Sequence, residues 1–87
     1  MSEAKADIYL DAAATTPPSA DVIERIRVVQ ADTWANPSSL HGPGIRAADC
    51  LERSRQSIAS ALGAERDQLT FTSGATESVH LALLGTA

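Results

Sequence analysis

The chain has 87 residues, with 7 Lys and Arg against 11 Asp and Glu, for a formal net charge of −4. Its 44% hydrophobic and 21% charged content is that of a globular segment and excludes a charge-rich disordered tail. The acidic balance excludes the clustered Lys and Arg that a nucleic-acid or anionic-membrane partner requires, and a single cysteine, Cys50, excludes both a disulfide framework and a Cys-based zinc site.

Residues 1–6 are small and polar and are expected to fray. They lack the basic region and apolar segment of a secretory signal. No apolar run approaches the roughly 20 residues that span a bilayer, so a cytoplasmic location is expected. Ile8-Tyr9-Leu10 is a short β-favouring run that stops at Asp11. Residues 12–18 end in paired prolines, and the residue before a proline is pushed toward extended geometry. This stretch reads as an extended connection.

A helix is expected to begin near Ser19 or Asp21. Ser19 can cap it, and Asp21 with Glu24 has capping-box-like spacing. Val22, Ile23, Ile26 and Val29 follow at helical intervals, and the pattern fades by Trp34. Residues 33–44 hold Asn36-Pro37, two serines and Gly42-Pro43-Gly44, which is loop chemistry. A second helix is expected from about Ile45 to Leu62, with Ala48, Leu51, Ile58 and Leu62 along one face and Gly63 as its stop. Residues 68–72 alternate in polarity as a strand does. Ser73-Gly74 turns the chain, and residues 75–84 read as a third helix.

The order strand, helix, helix, strand, helix points to an α/β architecture. Two short strands do not close a sheet that must be covered on both faces. Only three aromatics, Tyr9, Trp34 and Phe71, are available to fill a core. The expected reading is the front end of a larger α/β domain.

Phe71-Thr72-Ser73-Gly74-Ala75-Thr76-Glu77 is the most informative segment. A strand ends, a glycine allows close approach, and a helix starts with hydroxyl residues in its first turn. Helix N-termini present unpaired N–H groups and attract phosphate. On spacing alone, Ser73 capping the helix explains the segment equally well. His41, in a loop flanked by glycine and proline, reads as a residue that hydrogen-bonds backbone rather than one that orients a ligand or a partner strand. His80 reads as a packing residue. Asp11, Thr15 and Thr16 end the first strand, where ligands gather in α/β folds and where turn formers are also ordinary. Cys50 has no His or Lys at helical spacing to lower its pKa and reads as a structural thiol. Glu52, Arg53 and Arg55 read as a solvated helix face, and no metal-ligand cluster is visible.

Three segments in register go beyond pattern. The opening Ile8-Tyr9-Leu10-Asp11-Ala12-Ala13-Ala14-Thr15-Thr16-Pro17, the loop Asn36-Pro37-Ser38-Ser39-Leu40-His41-Gly42 and the segment 71–77 resemble successive landmarks of the cysteine desulfurases. These are pyridoxal-phosphate enzymes of the class V aminotransferase group. The resemblance covers nearly the whole chain. It departs at Ala12, where the family usually has Asn, and at Val79 and His80, where polar residues are common.

The resemblance implies the N-terminal part of a fold type I transferase whose large domain surrounds a mixed sheet. Residues 1–18 would form an N-terminal arm with a short strand, and residues 19–87 the beginning of the cofactor-binding large domain. The implied cofactor is pyridoxal 5′-phosphate, with Gly74, Ala75 and Thr76 at its phosphate and Ala75 and Thr76 as direct contacts. The implied reaction takes sulfur from L-cysteine through an enzyme persulfide and releases L-alanine, for iron–sulfur cluster assembly or tRNA thiolation. The implied partners are a second copy of the full-length chain and a sulfur-acceptor protein or scaffold. No catalytic residue is expected among these 87, since Lys5 precedes the first strand and Cys50 does not match the nucleophile's position, and the segment alone is expected to be inactive. The alternatives are another class V aminotransferase or a selenocysteine lyase, or a non-catalytic module that binds an anion or a partner.

Overall fold

The computed structural model describes residues 7–86; the expected fraying of residues 1–6 lies outside them. The described elements are three α-helices and one short 3-10 helix: α1 (Ala20–Asp32), α2 (Gly42–Ala61), the 3-10 helix (Arg66–Gln68) and α3 (Ala75–Thr86). They belong to two compact units that divide between Trp34 and Ala35.

In the first unit, α1 begins as its sequence dictates. Ser19 is in extended geometry and its Oγ accepts from the Val22 N–H at 3.3 Å, which satisfies one donor left over by the first helical turn. Glu24 and Arg27 pair one turn apart on the exposed surface. That partner holds the Glu24 carboxyl below its usual pKa and the Arg27 guanidinium above its own. Val22, Ile23 and Ile26 share the helical spacing read from the sequence, and all three are about half exposed.

In the second unit, α2 starts three residues before the expected Ile45. His41 is its cap, with Nδ1 accepting from the Gly44 N–H at 3.1 Å, and Pro43 sits in the first turn, where a missing N–H does no harm. The helix stops where expected. Gly63 has φ +69°, the Gly63 N–H reaches the Ser60 carbonyl at 3.1 Å and the Ala64 N–H reaches Ala59 at 2.9 Å. This is the paired closure of a Schellman motif. Among the described residues, the buried apolar side chains are the small ones of Ala35, Ala47 and Ala59.

The expected strands are not present among the described residues. Ile8 and Leu10 are 87% and 90% exposed, and Leu69 is extended at φ −110°, ψ 126° without a ladder. An extended run becomes a strand only when a neighbour's N–H and C=O groups take up its own, and neither run has that neighbour here. The described residues are therefore helical where the sequence order pointed to α/β. Gln68, expected to open the second strand, instead closes the 3-10 helix, its side-chain Oε1 accepting from the Glu65 N–H at 2.9 Å.

Candidate functional site at the start of the third helix

The segment 71–77 places its residues at the N-terminus of α3. Gly74 stands immediately before the helix, and its carbonyl accepts the first helical hydrogen bond, from the Ser78 N–H at 3.1 Å. The hydroxyls of Thr72 and Ser78 lie 2.6 Å apart, and they stand 3.1 and 3.2 Å from that same carbonyl. One hydroxyl donates to the other and the second to the carbonyl, so the turn is fastened from both sides. Ala75 and Thr76 are the first two helical residues, and both are exposed.

Ser73 does not cap the helix. Its N–H and its Oγ both donate to Glu77 Oε1, at 2.7 and 2.8 Å. The backbone donor first, then the hydroxyl, hold the Glu77 carboxyl below its ordinary pKa. The side-chain oxygens nearest the helix start are thus committed elsewhere: Thr72 to Ser78 and Gly74, Ser73 to Glu77, and Glu77 to Ser73. The amides of the first turn have no acceptor within the helix itself. They form the positive pole of α3.

A Cβ placed on Gly74 would meet nothing within 4 Å, so the space beside these amides is open to an incoming group. Donors in a row, a partial positive charge and free space suit a tetrahedral anion. Phosphate therefore fits the residues present. The magnitude is modest, since one exposed helix end contributes roughly 0.3–1 kcal/mol to holding a negative charge. Glu77 carries a formal charge on the same turn, but two hydrogen bonds hold it against Ser73, outside the helix.

Asp11, Thr15 and Thr16 are in the first unit. There the Asp11 carbonyl accepts from the Ala14 and Thr15 N–H groups, and the Tyr9 hydroxyl stands 2.9 Å from the Asp11 carbonyl and 2.6 Å from that of Thr15. A shallow hollow lined by Tyr9, Thr15, Thr16 and Pro17 results. In the second unit, Asn36 Oδ1 accepts from the Ser38 N–H at 2.8 Å and its carbonyl from the Ser39 N–H at 3.1 Å. This turn leads to His41, which bonds backbone as expected. Cys50 is half-buried in α2, and its carbonyl accepts from Ser54 Oγ at 2.9 Å.

Arg55 was read as part of a solvated face, and the structure corrects this. Its Nη1 donates to the Leu69 carbonyl at 2.9 Å, and its guanidinium lies over the Phe71 ring, 4.7 Å from the centroid. Glu52 stands between Arg55 and Arg66 and pairs with both. Helical periodicity could not reveal this, because the partners lie beyond the Gly63 turn. The signal available was a helical cation followed, past a glycine stop, by the only phenylalanine in the chain.

Residues 8–87 match the aminotransferase class-V family. The chain is 42% identical over 83 residues to the cysteine desulfurase IscS of Dictyoglomus turgidum, covering 95% of this chain and 21% of that protein. It is 45% identical over 78 residues to a cysteine desulfurase of a Frankia species, covering 90% of this chain and 19% of the relative. A selenocysteine lyase of Xenopus tropicalis is 35% identical over 79 residues, covering 91% of this chain and 18% of the relative. The chain thus spans about a fifth of the length of these curated relatives. No solved structure matches it.

Proposed function

The chain belongs to the class-V aminotransferase family, and on that premise we propose that it is the part of a cysteine desulfurase that grips the phosphate of pyridoxal 5′-phosphate. The observation that carries the proposal is the pair of exposed residues Ala75 and Thr76 in the first turn of α3, at its positive pole, in a chain 42% identical to a desulfurase. In this reading the two N–H groups donate to the phosphate oxygens, and the Thr76 hydroxyl adds a third donor. Gly74 keeps the approach open, and the paired Thr72 and Ser78 hydroxyls, one of which donates to its carbonyl, help the amides keep their direction. When bound, the cofactor supplies an electron sink for breaking bonds at the substrate amino acid.

The whole protein of which this segment would be part takes sulfur from L-cysteine onto an enzyme cysteine as a persulfide and releases L-alanine. It works in the cytoplasm as a homodimer and passes sulfur to an acceptor protein or scaffold for iron–sulfur cluster assembly or tRNA thiolation. Residues 8–10 and 69–72 would gain their missing neighbours in the mixed sheet of a fold type I large domain. Residues 1–18 would be the arm and residues 19–87 the start of that domain. Selenocysteine lyase is the second reading, favoured by the 35% identity to the Xenopus tropicalis relative. The single lysine is Lys5 and the single cysteine, Cys50, is half-buried, so these 87 residues should release no sulfide from L-cysteine.

The test is a titration of the isotope-labelled chain, followed at individual backbone amides. Pyridoxal 5′-phosphate and inorganic phosphate should both shift Ala75 and Thr76 in the millimolar range, whereas pyridoxal, which lacks the phosphate, should not. Equal shifts with pyridoxal, or phosphate shifts confined to other residues, would sink the assignment.

A further inference from the structure

The geometry points to Arg55, on α2, as the positioning residue that sets where the first turn of α3 stands. The inference rests on the reading of Gly74, Ala75 and Thr76 as the phosphate grip, and it adds a residue that the three sequence landmarks do not contain.

Among the described residues, α2 packs against the 3-10 helix, and α3 makes no comparable contact with another element. The start of α3 is therefore placed by the segment that leads into it. Arg55 holds that segment at two points. Its Nη1 donates to the Leu69 carbonyl, fourteen residues away, at 2.9 Å, and the guanidinium face covers the Phe71 ring at 4.7 Å. Its Nε faces Glu52 Oε1 at 3.5 Å, while the other Glu52 oxygen takes Arg66 of the 3-10 helix. One planar cation thus serves a carbonyl, a ring and a carboxylate at once.

The Arg55 side chain is 25% exposed, against 66% for Arg27 and 69% for Arg53. Those two make only surface pairs one helical turn away; Arg55 has left the water for a contact across the Gly63 turn. Phe71 precedes Gly74 by three residues, which is at most about 10 Å of chain. Fixing Leu69 and Phe71 against α2 therefore limits where the Ala75 and Thr76 amides can point. Preorganised donors bind an anion without the cost of ordering the turn. Lysine cannot substitute, because a point charge on a flexible stem cannot donate to Leu69 and lie flat on Phe71 together.

The test compares the 87-residue wild type with Arg55→Lys and Phe71→Leu. Inorganic phosphate and pyridoxal 5′-phosphate are titrated against the Ala75 and Thr76 amides, with helix content read by circular dichroism. Arg55→Lys keeps the net charge and Phe71→Leu keeps the arginine, so neither weakens binding by removing charge. Each should shift the titration about two- to fivefold to higher concentration, up to the whole contribution of the exposed helix end, with helix content unchanged. Wild-type affinity in Arg55→Lys would show that charge alone matters and overturn the positioning role. A nuclear Overhauser contact between the Arg55 δ-protons and the Phe71 ring reads the clasp separately. Its absence in the wild type overturns the inference whatever phosphate does. Its presence, with no response of either amide to phosphate, overturns the phosphate grip and the inference that rests on it; its presence with equal binding in wild type and variants overturns the positioning role alone.

Discussion

A methyl group on Gly44 would run into the Ser39 carbonyl oxygen and come within 2.9 Å of the Asn36 carbonyl oxygen. Both are backbone atoms and cannot swing aside. Alanine ordinarily favours a helix over glycine by about 0.5–1 kcal/mol, but overpacking costs roughly 1–3 kcal/mol, so the clash wins. We expect Gly44→Ala to lower the thermal midpoint of the α2 signal in circular dichroism; an unchanged or higher midpoint would refute the contact. In the sequence Gly44 looked like one more loop residue, because composition cannot show which carbonyl a turn will lay against it. Glu77 gives a prediction in pH. Its folded pKa lies below the ordinary 4.5, so its contribution to the α3 turn is present above 4.5 and is lost as the pH falls through the lower folded value. The backbone N–H of Ser73 is the larger cause and the hydroxyl the smaller. Ser73→Ala should therefore raise the Glu77 midpoint, read by carboxyl-carbon NMR, but leave it below 4.5. A midpoint already at 4.5 in the wild type would show that the two hydrogen bonds do not form in solution.

At the level of elements, the helix ends were the most legible features. Ser19 as a cap and Gly63 as a stop are local devices, settled within a turn of chain by the need to satisfy leftover N–H and C=O groups. Removing the Ser19 hydroxyl in Ser19→Ala should cost about 1 kcal/mol. Gly63→Ala should cost about 1–2 kcal/mol, wholly from its backbone, because φ is +69° and a Cβ there meets nothing within 4 Å. Helix content of the two variants by circular dichroism would check both, each falling below wild type; equal helix content in Gly63→Ala and wild type would mean that the left-handed residue is not kept in solution. The start of α2 was less legible, since histidine is a rare cap and only the Nδ1 contact with Gly44 reveals it. The two expected strands do not form among the described residues for a different reason. Polarity alternation reports a preference for extended backbone, which Leu69 does adopt, but a strand also needs a partner that alternation cannot supply.

For the molecule as a whole, the buried apolar side chains of the described residues are three alanines, while Leu40 is 97% and Leu84 77% exposed. Folding cooperativity comes from burying large apolar surfaces against one another. We therefore expect a broad, shallow thermal transition in calorimetry; a sharp heat-absorption peak would argue for an independently folding module instead. None of the described helices is long and apolar enough to cross a membrane. Family membership was legible because three short segments keep their order and separation along the chain. The course of α1, the Ser19 cap and the Gly63 stop were determined by sequence alone, since periodicity and capping act between residues three or four apart. The Arg55 clasp on Leu69 and Phe71 and the need for glycine at position 44 were decided only by tertiary structure. Each depends on where a second piece of backbone arrives in space, and no spacing along the chain encodes that arrival.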